Sequence, residues 1–226
     1  MLSSTVATLY DNSAHGEDAY LVRDLGDNSF LDVVLDGVTG HGGGEASQSV
    51  LEALTKVTIT SAEDVVAAVA DQNEEFFQVG GGRFLLTTIS AALYLNGILY
   101  LLNAGDSPIY HIRSDSFQQL GGRLGGLLPA GATRVVGASA ELSLSRREIA
   151  VEPGDRLVLA TDGITDNVPG AELVEIVRGI PTPQESALQI KSLVDARLQP
   201  GAALPQPGSR YRHDDQTAIF RLFNTS

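Results

Sequence analysis

Short apolar runs of strand length recur along this chain, and they are rich in β-branched and aromatic residues. Most of them are bounded by Gly, Asn, Asp or Pro, the residues that end strands and form turns. Asn96-Gly97 lies between two such runs and predicts a tight hairpin. The pattern predicts strands over residues 4–10, 18–24, 30–36, 84–96, 97–105, 107–113, 142–151, 155–161 and 216–223.

Helical periodicity is confined to a few segments, in which apolar positions recur three and four residues apart on one face. Ser61 with Asp64 forms a capping box at the start of one of them. Thr182, Pro183 and Glu185 supply the N-cap, the first-turn proline and the cap partner of another. The predicted helices cover residues 44–57, 62–79, 170–179 and 183–198.

The predicted strands come mostly in antiparallel groups with paired helices between them, unlike the strict alternation of a doubly wound parallel sheet. We therefore expect an α+β fold, a four-layer α-β-β-α sandwich of two antiparallel sheets flanked by helices. A chain of 226 residues can bury one full core, so we expect a single domain over residues 1–226.

Composition then narrows the function. The chain has no cysteine, which excludes disulfides, thiolate metal sites and cysteine nucleophiles. Its formal net charge of -13 argues against binding to nucleic acid or to anionic membranes; the acidic surplus serves either solubility or the binding of cations. No signal peptide is evident, and no apolar run approaches the roughly 18 residues of a membrane span. We expect a soluble, cytoplasmic protein, and a monomer because nothing indicates an obligate assembly.

Two predicted strands end in the same way. DVVLDGVTG (32–40) and RLVLATDGITD (156–166) both run from apolar residues into Asp-Gly. Acidic pairs also stand where a strand begins, at Glu17-Asp18, and directly before the last strand, at Asp214-Asp215. One Asp-Gly after a strand is usually only a turn. Four acidic sites at one sandwich edge, however, would need a cation, because like charges raise one another's pKa.

The donor chemistry indicates which cation to expect. Carboxylate oxygens select hard ions, so Mg²⁺ or Mn²⁺ comes first and Ca²⁺ second. Four histidines and no cysteine argue against a zinc site of the usual N/S type. A glycine after each aspartate would let a backbone carbonyl or the waters of the ion approach closely. The glycine run from Gly40 to Gly44 lacks the ending of a phosphate-binding P-loop and allows a tight turn into the helix at 44–57.

Acidic, glycine and threonine motifs follow one another over nearly the whole chain, from about residue 5 to residue 223. They are Glu17-Asp18-Ala19, DGVTGH (36–41) with GEAS (44–47), Thr87-Thr88, NAGDS (103–107), Thr161-Asp162-Gly163 and DDQT (214–217). This ordered set resembles the metal-dependent protein phosphatases of the PP2C (PPM) family in their bacterial form. The resemblance implies a sandwich flanked by helices, two Mn²⁺ or Mg²⁺ ions, and hydrolysis of phosphoserine or phosphothreonine in a phosphorylated protein substrate, a signalling activity.

The resemblance also implies a ligand set. Asp36 would bridge both ions, and the Gly37 carbonyl would ligate one of them. Asp162 and Asp214 would complete the shell of the other ion. Asp36, Asp162 and Asp18 would be the catalytic carboxylates. A metal pair lowers the pKa of a water, which then attacks phosphorus directly without a phosphoenzyme.

Further residues would surround these ligands. The resemblance places Asp18, and with it Glu17, around metal-bound water, so both belong to the expected metal site. Asp106 would support the site without ligating an ion. His41 is either a general acid or a histidine that packs against or caps the following helix.

Two departures from the family pattern bear on the site. The family's phosphate-gripping arginine is replaced by Ser13, so either phosphate binding is weak or another cation takes over. The alternatives are Arg83, Arg210, Arg212 and His15, which the sequence does not rank. The segment 113–137 lacks the aspartate-histidine motif that helps to hold a third ion, so we expect two ions and a short flap.

Three functions remain open at this point. The first is an active Mg²⁺- or Mn²⁺-dependent phosphatase. The second is a regulatory or phosphoprotein-binding module that keeps the fold but turns over poorly, because the arginine is absent. The retained Asp36, Asp162 and Asp214 favour the enzyme, since a module without catalysis has no need for gathered acidic groups. A calcium-binding sandwich without phosphate chemistry is a broader rival.

Overall fold

A computed structural model describes residues 2–122, 135–202 and 209–225 of the chain. Its strands form two five-stranded sheets, and neighbouring strands pair antiparallel throughout the described ranges. The first sheet has the order β1 (Leu2–Asp11), β10 (Gln216–Thr225), β9 (Arg156–Ala160), β6 (Ile109–Arg113) and β7 (Ser116–Leu120). The second has the order β2 (Asp18–Gly26), β3 (Ser29–Asp36), β4 (Ile89–Leu95), β5 (Ile98–Ala104) and β8 (Ser145–Ala150).

Three apolar clusters show how the layers stack. The central one combines side chains of both sheets, among them Phe30 of β3 and Ile219 of β10. A second cluster covers the outer face of the second sheet with helices α1 (Gly43–Lys56) and α2 (Ala62–Gly80). The third cluster covers the first sheet with helices α4 (Gly170–Gly179) and α5 (Pro183–Leu198). The short helix α3 (Asp162–Thr165) precedes these two helices in the chain. This confirms the predicted α-β-β-α sandwich.

Local signals in the sequence account for several element boundaries. Asn96 and Gly97 both have positive φ, as the tight turn between β4 and β5 requires. The Ser61 amide donates to Asp64 Oδ2 at 2.8 Å at the start of α2. Thr182 Oγ1 accepts from the Glu185 amide at 3.2 Å at the start of α5. These predicted boundaries are confirmed.

Several elements differ from the sequence prediction, and among them the short helix α3 was not predicted. The strand expected over 84–96 begins only at Ile89, because Leu85 has a positive φ that interrupts an extended chain. Strand β7 was not predicted, since SFQQL is polar and exposed and lacks the apolar alternation of a half-buried strand. It is an edge strand that pairs with β6 alone. No helix in the described ranges is both long enough and apolar enough to cross a bilayer.

A buried ion pair joins the two sheets. Arg221 of β10 donates through Nε and Nη2 to Asp32 of β3, at 2.6 and 2.7 Å. Its Nη1 donates to Ser4 Oγ at 2.7 Å, and its guanidinium stacks over the Phe30 ring at 3.5 Å. A fork of donors matched to both carboxylate oxygens, with a ring on its face, is the geometry that makes a buried charge tolerable. This ion pair fixes β3 against β10. One acidic motif lies at the C-terminal end of β3, and another directly precedes β10.

Candidate metal centre

The ends of four strands bring the acidic motifs to one edge of the sandwich. Asp18 begins β2 and Asp36 ends β3, and the two residues face each other in the register of that pair. In the other sheet, Asp162 follows β9 and Asp214 precedes β10, which is the antiparallel neighbour of β9. The Thr161 hydroxyl donates to Asp18 Oδ2 at 3.0 Å, and this bond ties the two strand ends together across the sandwich.

The glycine of each Asp-Gly motif allows backbone segments to touch. A Cβ on Gly163 would lie 2.9 Å from the Asp215 carbonyl carbon and 3.3 Å from Asp214 Cβ, with the Asp215 carbonyl oxygen closer still. A Cβ on Gly37 would lie 2.7 Å from the Glu17 carbonyl oxygen and would also meet the backbone at the start of α1. The sequence argument assigned these glycines to the approach of an ion. The structure shows that they let the carboxylate-bearing segments pack together.

Asp215 anchors the loop that precedes Asp18. Its Oδ1 accepts from the amides of Ala14 and His15, and its Oδ2 accepts from the amide of Glu17, each at 2.9 Å. Because these three donors fill both of its oxygens, Asp215 holds the β1–β2 loop against the start of β10. The sequence distinguished Asp214 from Asp215 only through the resemblance, and this structural role was not predicted.

The threonine and serine motifs fix the backbone around Asp36. Thr88 Oγ1 accepts from the Asp36 amide at 3.1 Å, and the Thr88 amide donates to the Asp36 carbonyl at 2.8 Å. Thr88 Oγ1 also lies 2.9 Å from Ser107 Oγ, next to Asp106. The carbonyl of Glu17 accepts from Ser47 Oγ at 2.7 Å. These motifs therefore position the acidic side chains.

Burial and mutual repulsion raise the pKa of the central carboxyl groups. Burial is the main cause at Asp36, whose pKa lies well above its ordinary value, and the charges of Asp18, Asp162, Asp106 and Asp214 add to it. Each of these carboxylates is thus within electrostatic reach of Asp36. A site of this kind favours any cation that neutralises it.

Two neighbours of Asp36 show the same effect. Burial raises the pKa of Asp18 to about 7, and the charge of Asp162 adds to the rise. The hydrogen bond from Thr161 opposes it, because it stabilises the ionised carboxylate. Burial is also the main cause that raises the pKa of Asp162 to about 7, and the charge of Asp106 adds to the rise. The positive charge of Arg212 lowers this pKa. Asp106 therefore lies near enough to influence two of the predicted ligands.

Glu17 and Asp214 are half-buried, and neighbouring side chains hold both of them. Glu17 Oε2 accepts from Thr39 Oγ1 at 2.5 Å. Asp214 Oδ1 lies 3.0 Å from His15 Nδ1, and Asp214 Oδ2 lies 2.9 Å from an Arg212 amino group. Asp214 is thus held by two cationic or potentially cationic partners at the rim of the acidic cluster.

His41 lies against the backbone of Arg83. His41 Nδ1 donates to the Arg83 carbonyl at 2.7 Å, so that ring nitrogen already has a partner. This contact agrees with the packing alternative for His41 and leaves the general-acid alternative without geometric support. Residues 123–134 of the segment expected to form a short flap lie outside the described residues.

The residues present suit hard cations. Carboxylate oxygens and the Gly37 carbonyl are the donor types that Mg²⁺ and Mn²⁺ prefer, and no described residue donates a hydrogen bond to that carbonyl. No three acidic or histidine side chains in the described ranges enclose a ready-made cage for one ion. Mg²⁺ is usually bound by one or two carboxylates and keeps several waters, so the fit is to an open, hydrated site.

Comparisons with known proteins agree with this architecture. The family model described as Stage II sporulation protein E (SpoIIE) matches residues 28–220. The serine/threonine phosphatase stp of Listeria innocua serovar 6a is 25% identical over 205 residues, which cover 76% of this chain and 81% of that protein.

Solved structures share the fold. PppA, described as a key regulatory component of T6SS in Pseudomonas aeruginosa, has a TM-score of 0.77 at 23% identity, with 98% of both chains covered. The catalytic domain of the serine threonine protein phosphatase PstP, in complex with two manganese ions, has a TM-score of 0.75 at 24% identity, with 100% of both chains covered. At such identities the similarity establishes the sandwich fold.

Proposed function

This chain belongs to the SpoIIE family of PP2C-type phosphatases, and we propose that it hydrolyses phosphoserine and phosphothreonine in proteins with Mn²⁺ or Mg²⁺. The observation that carries the proposal is the convergence of strand ends that brings carboxylates to Asp36 at one sandwich edge, where burial and their charges raise the pKa of Asp36. The bacterial relative named above is a serine/threonine phosphatase, and the PstP structure holds two manganese ions. A cytoplasmic location, a monomeric state and a single domain over residues 1–226 stay predictions from the sequence.

The family resemblance implies the ligand roles, and the places of these residues at strand ends support them. We propose that Asp36, as the central ligand, would hold the ions together with the Gly37 carbonyl, Asp162 and Asp214. When bound, the ions supply the Lewis-acid chemistry that activates water for attack on phosphorus. Thr88 bonds both the amide and the carbonyl of Asp36, so the backbone that carries this carboxylate is fixed before any ion arrives.

Asp18 and Glu17 would orient water at the site. Asp18 is buried, and the Thr161 hydroxyl fixes one of its oxygens. Glu17 lies nearer the surface, where Thr39 holds one of its oxygens. Both carboxylates can accept hydrogen bonds from water, and we propose that they hold the waters that complete the shells of the ions.

The alternative, a binding module with poor turnover, has less support. Such a module would not need several buried or half-buried carboxylates, because each of them costs free energy through desolvation and repulsion. Asp18, Asp36 and Asp162 all carry this cost. The cost is explained if the group binds cations for catalysis.

The test is phosphate release from a phosphoserine or phosphothreonine peptide and from p-nitrophenyl phosphate, with Mn²⁺, Mg²⁺ or EDTA. We expect turnover with either metal, none with EDTA, and a loss of at least about 100-fold in Asp36→Asn. Asp71→Asn, which removes the same charge from an exposed position of α2, is the matched control and should retain activity. Activity that persists in EDTA or in Asp36→Asn would contradict the proposal. Binding of the phosphopeptide without turnover would favour the module.

A further inference from the structure

A phosphorylated side chain carries nearly two negative charges, and here it must approach a rim that is already acidic. Position 13, where the family resemblance expects an arginine, offers no charge. Ser13 Oγ donates to Asp11 Oδ1 at 2.6 Å, so its hydroxyl is already engaged with a carboxylate. The substrate phosphate therefore needs a cation from another part of the chain.

Arg212 lies closest to the acidic cluster among the three arginines that the sequence left open. Its amino group lies 2.9 Å from Asp214 Oδ2, and about half of its side chain is exposed. Arg210, equally exposed, instead lies 3.5 Å from Asp166. Arg83 makes no ion pair with any described residue. Its carbonyl accepts from His41 Nδ1, and its amide donates to the Gly80 carbonyl.

A buried asparagine fixes the backbone of Arg212. Asn167 Oδ1 accepts from the Arg212 amide at 3.0 Å, and Asn167 Nδ2 donates to the Arg212 carbonyl at 2.8 Å. The same Nδ2 donates to the Gly163 carbonyl at 2.8 Å, directly after Asp162. Asn167 is fully buried. Arg212 is thus clamped to the segment that carries one predicted metal ligand while its guanidinium touches another.

We propose that Arg212 binds the phosphoryl oxygens of the substrate and so takes the place of the cation that is absent at Ser13. In the metal-free protein the guanidinium neutralises Asp214. A cation that binds Asp214 would compete with this ion pair, and the guanidinium would then be available to a phosphate beside the ions. Arginine suits this task because its planar fork of donors matches two phosphate oxygens. The inference rests on the proposed function.

Two measurements on Arg212→Ala test this role. We expect the dissociation constant of inorganic phosphate for the Mn²⁺-loaded protein, measured by calorimetry, to rise about 10- to 100-fold. We expect Mn²⁺ itself to bind as tightly as in the wild type or more tightly, because a positive charge that competes for Asp214 has gone. A purely structural role of Arg212 in holding Asp214 predicts the opposite change for Mn²⁺.

Matched variants sharpen the comparison. Arg210→Ala removes the same charge from the same loop and should leave both constants within about twofold of the wild type, as expected for an exposed ion pair. Arg212→Lys keeps the charge but not the fork, and should bind phosphate with intermediate affinity.

Three results would overturn the assignment: unchanged phosphate binding in Arg212→Ala, an equal loss in Arg210→Ala, or a parallel loss of Mn²⁺ affinity. Phosphate binding is measured without turnover, so this outcome is separate from that of the activity test. A wild-type protein that binds Mn²⁺ and phosphate through Arg212 but hydrolyses nothing would contradict the proposed activity and leave the role of Arg212 intact.

Discussion

The close approach of Gly163 to the 214–215 segment predicts that Gly163→Ala damages both stability and metal binding. The added Cβ would lie 2.9 Å from the Asp215 carbonyl carbon and 3.3 Å from Asp214 Cβ. The backbone of Asp215 must retreat by roughly 1 Å or more to restore ordinary contact, and Asp214 must move with it. Overpacking of this kind costs about 1–3 kcal/mol of unfolding free energy. A ligand displaced by about 1 Å lowers activity by about 100-fold.

Urea denaturation and Mn²⁺ calorimetry on the same preparations measure the two effects. Gly179→Ala is the matched control, because nothing lies within 4 Å of a Cβ at that position. Since Gly179 is the last residue of α4, alanine there should leave Mn²⁺ binding unchanged and stability equal or higher by about 0.5–1 kcal/mol. The reasoning is refuted if Gly163→Ala matches the wild type in urea midpoint and in Mn²⁺ affinity.

Two further predictions concern the buried charges. Asp32→Asn should lower the unfolding free energy by about 3–5 kcal/mol in urea, because it leaves the Arg221 guanidinium buried without its counter-charge. Glu63→Gln, which removes an exposed ion pair, should cost less than about 1 kcal/mol, and equal effects would contradict the argument. Burial raises the pKa of Asp155, but hydrogen bonds, chiefly from Arg113, outweigh this and hold it below its ordinary value. The resulting stability is present above about pH 4 and is lost as the pH falls through the lowered pKa. Wild type and Asp155→Asn should therefore differ in urea midpoint at pH 7, and the difference should shrink as the pH falls below about 4. A difference that does not change with pH would count against this.

Local sequence patterns predicted most of the strands and helices. The predicted strand before Asp36 ends where β3 ends, and the helix over 183–198 matches α5. These elements have strong periodicity and explicit caps, so neighbours along the chain determine them. Strand β7 escaped prediction because its pairing with β6, and not its own polarity, makes it a strand. The order of the strands in each sheet could not be predicted from local patterns either, because it depends on contacts between segments that are distant in the chain.

The acidic residues of the candidate site were predictable from the sequence. The hydrogen bonds that hold the surrounding backbone were not. Asp36, Asp162 and Asp214 were identified from their places at strand ends and from the family resemblance. The clamp of Asn167 on Arg212 carries no local signal, because one asparagine in a loop is compatible with any turn. The same holds for Asp215, whose three amide donors come from residues 14–17, about two hundred positions away.

The most direct test of the central claim is the anomalous scattering of a crystal soaked in Mn²⁺. The account predicts two manganese peaks about 3.5–4 Å apart at the edge of the sandwich, with Asp36 in contact with both and Asp162 and Asp214 on one of them. Manganese bound elsewhere, or a map in which these three aspartates share no ion, would contradict the account.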